Sequence, residues 1–301
     1  MFKHILVPLD GSKMAEAALP AAAFLSGRFN SSVTLFHVIE KNAPGEIHGQ
    51  SHLKDAGEAE VYLTDTVRRT FAGDVHTDFH VHATESDNVA ESIVGHAHEL
   101  ESDLIVMCSH GRGWALHMLL GSIAQRVVSK GDLPVLIAHP GKDGGAQPFS
   151  CDTVLLPLDG DIDHEKALPV SMELAKVCNA SLNLAMVVPG FGELSGEKAA
   201  ASRFLPGTMT RILELSAENA KEYLKASLET IHGNGLVAEG RVLRGDPASA
   251  LDSASRDMRA DLIVMATHGK SAMDAFWAGS VTHKLSGLSR IPLLLIPIRK
   301  D

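Results

Sequence analysis

No apolar run in this chain approaches the roughly 20 residues that a helix needs to cross a bilayer, so no membrane span is expected. The opening "MFKHILVPLDGS" reads as a strand entering a turn rather than as a signal peptide. Basic residues are in the minority, 27 against 37 acidic ones, and the formal net charge is -10. That balance lacks the broad positive surface of a phosphate-backbone binder and excludes nucleic acid as an expected partner. Cysteine is scarce. Cys108, Cys151 and Cys178 show no C-x-x-C spacing, which fits a reducing compartment better than a disulfide framework and places the chain in the cytoplasm.

Signatures of catalysis are missing too. "HGKS" at His268 to Ser271 would need a glycine at position 264 to complete a phosphate-binding Walker motif, and Val264 stands there. No G-x-G-x-x-G follows a strand, no G-x-S-x-G elbow occurs, and no carboxylate pair is placed for acid/base work. The expectation is a protein that is not a dedicated enzyme, with slow hydrolysis of a bound nucleotide left open. Histidine is plentiful, with twelve of the 16 in the first half. His80 and His82, two apart on a strand, share one face, yet no ligand spacing such as H-E-x-x-H accompanies them. No metal site is assigned.

What is present is a repeat. "DLIVMCSHGR" at Asp103 to Arg112 returns as "DLIVMATHGK" at Asp261 to Lys270. The start of the chain aligns with a later stretch at an offset of 149, which sets Asp10 on Asp159, Pro20 on Pro169 and Asn30 on Asn179. The decapeptides and the closing strands "LPVLIAHP" and "IPLLLIPI" align at 158, so the second copy carries nine extra residues (158 minus 149), placed in the Gly/Ser-rich stretch from Pro189 to Gly207. This length is a duplicated domain, not a solenoid period. The Gly- and Pro-containing "HPGKDGGAQPFSCD" marks the linker, giving domains over 1–142 and 150–301.

Each copy alternates continuous apolar runs of strand length with helical segments. That pattern predicts an α/β fold with a doubly wound parallel sheet of about five strands and helices on both faces. Ligands of such sheets bind beyond the carboxyl ends of the strands, where strand order reverses. Two turns are written for that place. The first is "PLDG" (Pro8, Leu9, Asp10 or Pro157, Leu158, Asp159), whose carboxylate can accept from ribose hydroxyls or an adenine amine. The second runs through the His-Gly turn to a Gly-Ser pair opening a helix, Gly121–Ser122 or Gly279–Ser280, whose amides, hydroxyl and dipole suit a phosphate.

At these residues the chain resembles the universal stress protein family in its tandem form. The nucleotide-binding subgroup carries G-x-x-G, nine residues, then G-[S/T]; here "CSHG" and "ATHG" keep the second glycine, with Cys108 and Ala266 in place of the first. The resemblance covers essentially both copies and implies five-stranded sheets of order 3-2-1-4-5. It implies ATP or a related adenine nucleotide, with or without Mg, as ligand. Asp10 or Asp159 would contact adenosine, and Val38 or Val187 would touch adenine through backbone. Met107, Cys108, His110, Gly111 and Arg112, or Met265, Ala266, His268, Gly269 and Lys270, would form the loop over the nucleotide. Together with that loop, Gly121, Ser122, Ile123 and Ala124, or Gly279, Ser280, Val281 and Thr282, would hold the phosphates.

Copy two keeps the "RGDP" turn and the smaller Ala266, where copy one has "ESDN" and Cys108, so copy two is expected to bind more tightly. The last strands are expected to pack the copies as an internal pseudo-dimer, because edges this apolar need a cover. Assembly into a homodimer is left open. The function implied is a nucleotide-dependent stress-response regulator with an unidentified protein partner. The alternative is a protective or interaction scaffold of the same fold, without nucleotide and with or without a metal site in domain 1.

Overall fold

A computed structural model describes residues 1–41, 46–47, 50–51, 53–71, 73, 75–109, 120–194, 196, 200, 203–268 and 281–298. Copy one runs β1 (His4–Pro8), α1 (Leu19–Phe29), β2 (Ser32–Glu40), a two-stranded hairpin β3 (Glu46–Ile47) and β4 (Gln50–Ser51), α2 (Ala56–Thr70), β5 (Thr77–Ser86), α3 (Val89–Glu99), β6 (Leu104–Cys108), α4 (Ser122–Lys130) and β7 (Val135–Ala138). Copy two repeats it, with no hairpin among the described residues: β8 (Thr153–Leu158), α5 (Ala167–Cys178), β9 (Ser181–Val188), α6 (Pro206–Gly233), β10 (Ala238–Arg244), α7 (Pro247–Asp257), β11 (Leu262–His268), α8 (Val281–Leu288) and β12 (Leu293–Ile298).

The strand order within copy one is β5-β2-β1-β6-β7, and within copy two β10-β9-β8-β11-β12, each the 3-2-1-4-5 order of the resemblance. All pairings within each five-stranded sheet are parallel. Central strands buried on both faces explain the unbroken apolar runs "HILVP" and "LIVMC". α1 and α5 end alike, at Asn30 (φ 52) and Asn179 (φ 57), because asparagine tolerates the left-handed turn that stops a helix.

The two five-stranded sheets are joined. β7 and β12 pair antiparallel, with Leu293 opposite Ile137, Leu294 opposite Leu136 and Leu295 opposite Val135, so one ten-stranded sheet runs through the protein. Alternation along these strands sends Leu136 and Leu294 to the core on one face, and Val135, Ile137, Leu293 and Leu295 to the core on the other. Both cores are therefore continuous across the junction. The expected contact between the closing strands is present as backbone pairing.

The second helices differ in length: α6 has 28 residues where α2 has 15, and Pro206 and Gly207 lie in its first turn. Proline at the first helical position supplies a fixed φ and no surplus N–H, so Pro206 starts the helix.

Candidate functional site

In copy one the carboxyl ends of β1, β2 and β6 and the start of α4 enclose a cavity of about 280 Å³. Its walls include Pro8, Leu9, Asp10, Val38, Met107, Cys108, Gly121, Ser122, Ile123 and Ala124, residues from four separate stretches of sequence. His110, Gly111 and Arg112 lie outside the described residues. The floor is held by backbone. The Leu9 amide donates to the Phe36 carbonyl at 2.8 Å, and the buried His37 ring donates from Nδ1 to the Leu9 carbonyl at 2.7 Å. Asp10 closes an Asx turn, its Oδ1 accepting from the Ser12 amide at 2.9 Å, and Gly11 takes φ +84, which the turn requires.

On the opposite wall, the Gly121 amide donates to the Ser109 carbonyl at 2.6 Å and so fixes where α4 begins. Gly121 has no side chain to cap that helix, which leaves the first-turn amides of Ser122, Ile123 and Ala124 at the cavity. Charge is unevenly distributed. Asp10, Glu40 and Asp87 line the side toward β2 and β5, with Asp87 paired to Lys41 at 3.1 Å, while Arg126 lies on α4. The "ESDN" turn, which departs from the family pattern, does the same work as "RGDP". Asn88 caps α3 by accepting from the Glu91 amide, as Asp246 caps α7 by accepting from the Ser249 amide.

Copy two places Pro157, Leu158 and Asp159 at the end of β8, Val187 in β9, and Met265 and Ala266 in β11, with the backbone of His268 in register with Ile298. Val281 and Thr282 open α8. Gly269, Lys270, Gly279 and Ser280 lie outside the described residues. The Asx turn is repeated, Asp159 Oδ1 accepting from the Asp161 amide at 3.0 Å and Gly160 taking φ +82. Its second oxygen differs. His164 Nδ1 lies 2.6 Å from Asp159 Oδ2, and the copy-one counterpart of His164 is Ala15 (164 minus 149), which lines the cavity instead. The Asp159 bond draws the His164 pKa up despite partial burial. Burial opposes the Asp159 charge, but the His164 and Asp161 bonds outweigh it and hold the carboxyl below its ordinary range.

A family model described as the universal stress protein family matches residues 1–139 and again 151–297. The chain belongs to the universal stress protein family. It carries two universal stress protein domains in tandem, and among curated relatives it is similar to the universal stress protein Sll1654 of Synechocystis sp., 33% identical over 46% of this chain and 85% of that one. The universal stress protein YxiE of Bacillus subtilis is 29% identical over 48% of this chain and 97% of its own. A solved universal stress protein from Archaeoglobus fulgidus shares the fold over 99% of this chain and 97% of that chain, at TM-score 0.68 and 17% identity. No described helix is long and apolar enough to cross a membrane.

Two further residue pairs brace the sites of this universal stress protein and were not singled out from sequence. Tyr62 on α2 donates to Glu16 at 2.9 Å, and Arg69 pairs with the same carboxylate. Tyr223 on α6 donates to Glu165 at 2.8 Å. Burial first, and then the neighbouring glutamate, pushes both phenols well above the ordinary tyrosine range; Asp10 and Asp159 add to it. A signal existed, since these are the chain's two tyrosines, one per second helix.

His80 and His82 meet His96 of α3, with ring centroids 5.1 and 4.8 Å from its ring, on the Phe36 face of the sheet. His96 donates from Nδ1 to the Ser92 carbonyl. Among the described residues no three His, Cys, Asp or Glu side chains are arranged to hold a metal ion.

Proposed function

We propose that this chain is a cytoplasmic stress-response regulator that binds ATP or a related adenine nucleotide in the copy-one cavity, and that it is not a dedicated enzyme. The observation that carries this reading is the convergence on one cavity of Asp10, Val38, Met107, Gly121 and Ser122, brought by β1, β2, β6 and α4. At about 280 Å³ the cavity is near the small end of ligand sites, about 300–1,000 Å³. That size suits a nucleoside within, with phosphates running out over the open α4 N-terminus toward Arg126. The carboxylates of Asp10, Glu40 and Asp87 lie on the nucleoside side, and Mg as counter-ion would lower the charge that a triphosphate brings near them.

The two units, 1–142 and 150–301, are unequal in this proposal, and the ranking expected from sequence is reversed. Asp10 accepts from the amide of its own turn, whereas Asp159 is also engaged by His164, so a ribose or adenine donor must displace that ring in copy two. Occupancy of copy one would act on a protein partner through the shared sheet. The test is to release small molecules from the purified chain by gentle denaturation and identify them by mass spectrometry. An adenine nucleotide approaching one per chain is expected. Stoichiometric recovery of a ligand without an adenine would point to a different use of the cavity.

A further inference from the structure

Three cysteines without a motif gave no reason to pair any two of them, yet the fold brings two together. Cys151 sits two residues before β8 and Cys178 is the last residue of α5. The chain is drawn back beside β8 directly after α5, where the Ser181 amide donates to the Asp152 carbonyl at 2.9 Å. The two thiols lie close enough for each to perturb the ionisation of the other. Copy one provides an independent view of the same two positions. Their counterparts are Phe2 and Phe29 (151 and 178 minus 149), and those rings pack edge to face with centroids 5.5 Å apart. Where copy one packs two rings together, copy two sets two buried thiols.

The surroundings set the chemistry. Arg28 of α1, whose guanidinium lies 5.2 Å from the centre of the Phe24 ring, contributes positive charge to Cys178 from the other copy. Phe24 in turn packs edge-on against Phe149 of the linker at 5.3 Å, so the dithiol lies where α1, the linker and α5 meet. The neighbouring Cys151 and then Arg28 draw the Cys178 thiol below its usual range against the effect of burial, while Cys178 and burial push Cys151 up. Cys178, the more exposed of the two and the one nearest the Arg28 charge, is the sulfur an oxidant meets first, which leaves Cys151 to resolve. Cys151 is fully buried and Cys178 is 5% exposed, so only a small uncharged oxidant reaches them.

We propose that Cys151 and Cys178 form a reversible dithiol–disulfide site at the junction of the two copies, with a peroxide as the oxidant. The Cys178 thiolate attacks the peroxide O–O bond and becomes a sulfenic acid, and the departing oxygen leaves as water, or as an alcohol from an organic peroxide, after taking up a proton. The Cys151 sulfur then displaces the sulfenic hydroxyl. An S–S bond forms, and the hydroxyl departs as water with the Cys151 proton. Two thiols lose two electrons in all, and the peroxide gains them.

The full chain is treated with hydrogen peroxide, and in parallel with oxidised glutathione, then mapped by peptide mass spectrometry under non-reducing conditions. Expected with peroxide are an intact mass lower by two hydrogens, a crosslink between the peptides holding Cys151 and Cys178, one remaining thiol (three minus two) and full reversal by dithiothreitol. Glutathione disulfide should leave the pair reduced. The variant C108S should keep the crosslink, and C151S should stop at a sulfenic acid on Cys178 that dimedone traps. A wild-type chain whose Cys151 and Cys178 stay reduced while free cysteine is oxidised overturns the proposal. So does a crosslink through Cys108, or conversion to sulfinic acid without a crosslink.

Discussion

Leu136 stands directly opposite Leu294 across the antiparallel β7–β12 pair, and the two are the same position of the two copies, 158 apart (294 minus 136). Their neighbours trade places, Val135 with Leu295 and Ile137 with Leu293. The contact is self-complementary in the way of a two-fold dimer interface, here made within one chain.

Both leucines are fully buried in the core that crosses the junction. Leu294→Ala and Leu136→Ala should each destabilise the chain by about 2–5 kcal/mol, read from urea unfolding. The double variant should cost something other than the sum, because the residues share a contact. A cost under about 1 kcal/mol for either would mean that the pairing does not hold the copies together.

The tyrosine braces predict an alkaline signature. Free tyrosine ionises near pH 10, whereas the half-buried Tyr62 and Tyr223 donate to Glu16 and Glu165 and should show no phenolate absorbance there while the chain is folded. Their folded pKa values lie above the unfolded one, so their contribution to stability is complete below about pH 10 and is lost as pH rises further. A quarter of the full tyrosinate signal at pH 10 in folded protein would show one brace to be absent, and half would show both to be. Glu16→Gln, which weakens the acceptor for Tyr62 and Arg69, should cost about 1.5–3 kcal/mol of stability.

His164 should make copy two pH-sensitive. Its folded pKa is raised above the ordinary 6.5, so the charged pair with Asp159 is complete below about that pH and fades as pH climbs through the raised value. Nucleotide affinity of copy two, isolated in an Asp10→Ala background, should therefore rise with pH across this window, and His164→Ala should flatten the rise. Asp159 is 55% exposed, which keeps the gain in the range of surface pairs, about 0.2–1 kcal/mol or a factor of about 1.5–5 in affinity. An affinity that falls with rising pH in that background would contradict the pairing.

Much of the architecture was legible because it is written twice. Apolar runs such as "HILVP" and "LIVMC" mark strands buried on both faces, and the unbroken "LPVLIAHP" marks an edge that needs a cover. The copy-one turns were legible as well, since β1, β2, β6 and α4 bring Asp10, Val38, Cys108 and Gly121 to one cavity. Other features depend on conformation that pattern does not encode. His164 reaches Asp159 because a 3-10 turn at His164–Lys166 presents it five residues on. The tyrosines escape the alignment, being 161 apart (223 minus 62) rather than 149 or 158, because the longer α6 shifts the brace along its helix. Cys151 and Cys178 are separated by a whole helix and meet only once α5 has folded back on β8.

Calorimetric titration of the ligand-stripped full chain with ATP and Mg, beside the Asp10→Ala and Asp159→Ala variants, tests the nucleotide reading most directly. Losing the Asp10 carboxylate should weaken the tighter binding event by about 10- to 150-fold, the effect of a charged hydrogen bond of roughly 1.5–3 kcal/mol, while Asp159→Ala leaves that event in place. Loss of the tighter event in Asp159→Ala but not in Asp10→Ala would restore copy two as the main site. No heat from the unmutated chain at millimolar ATP would contradict nucleotide binding altogether.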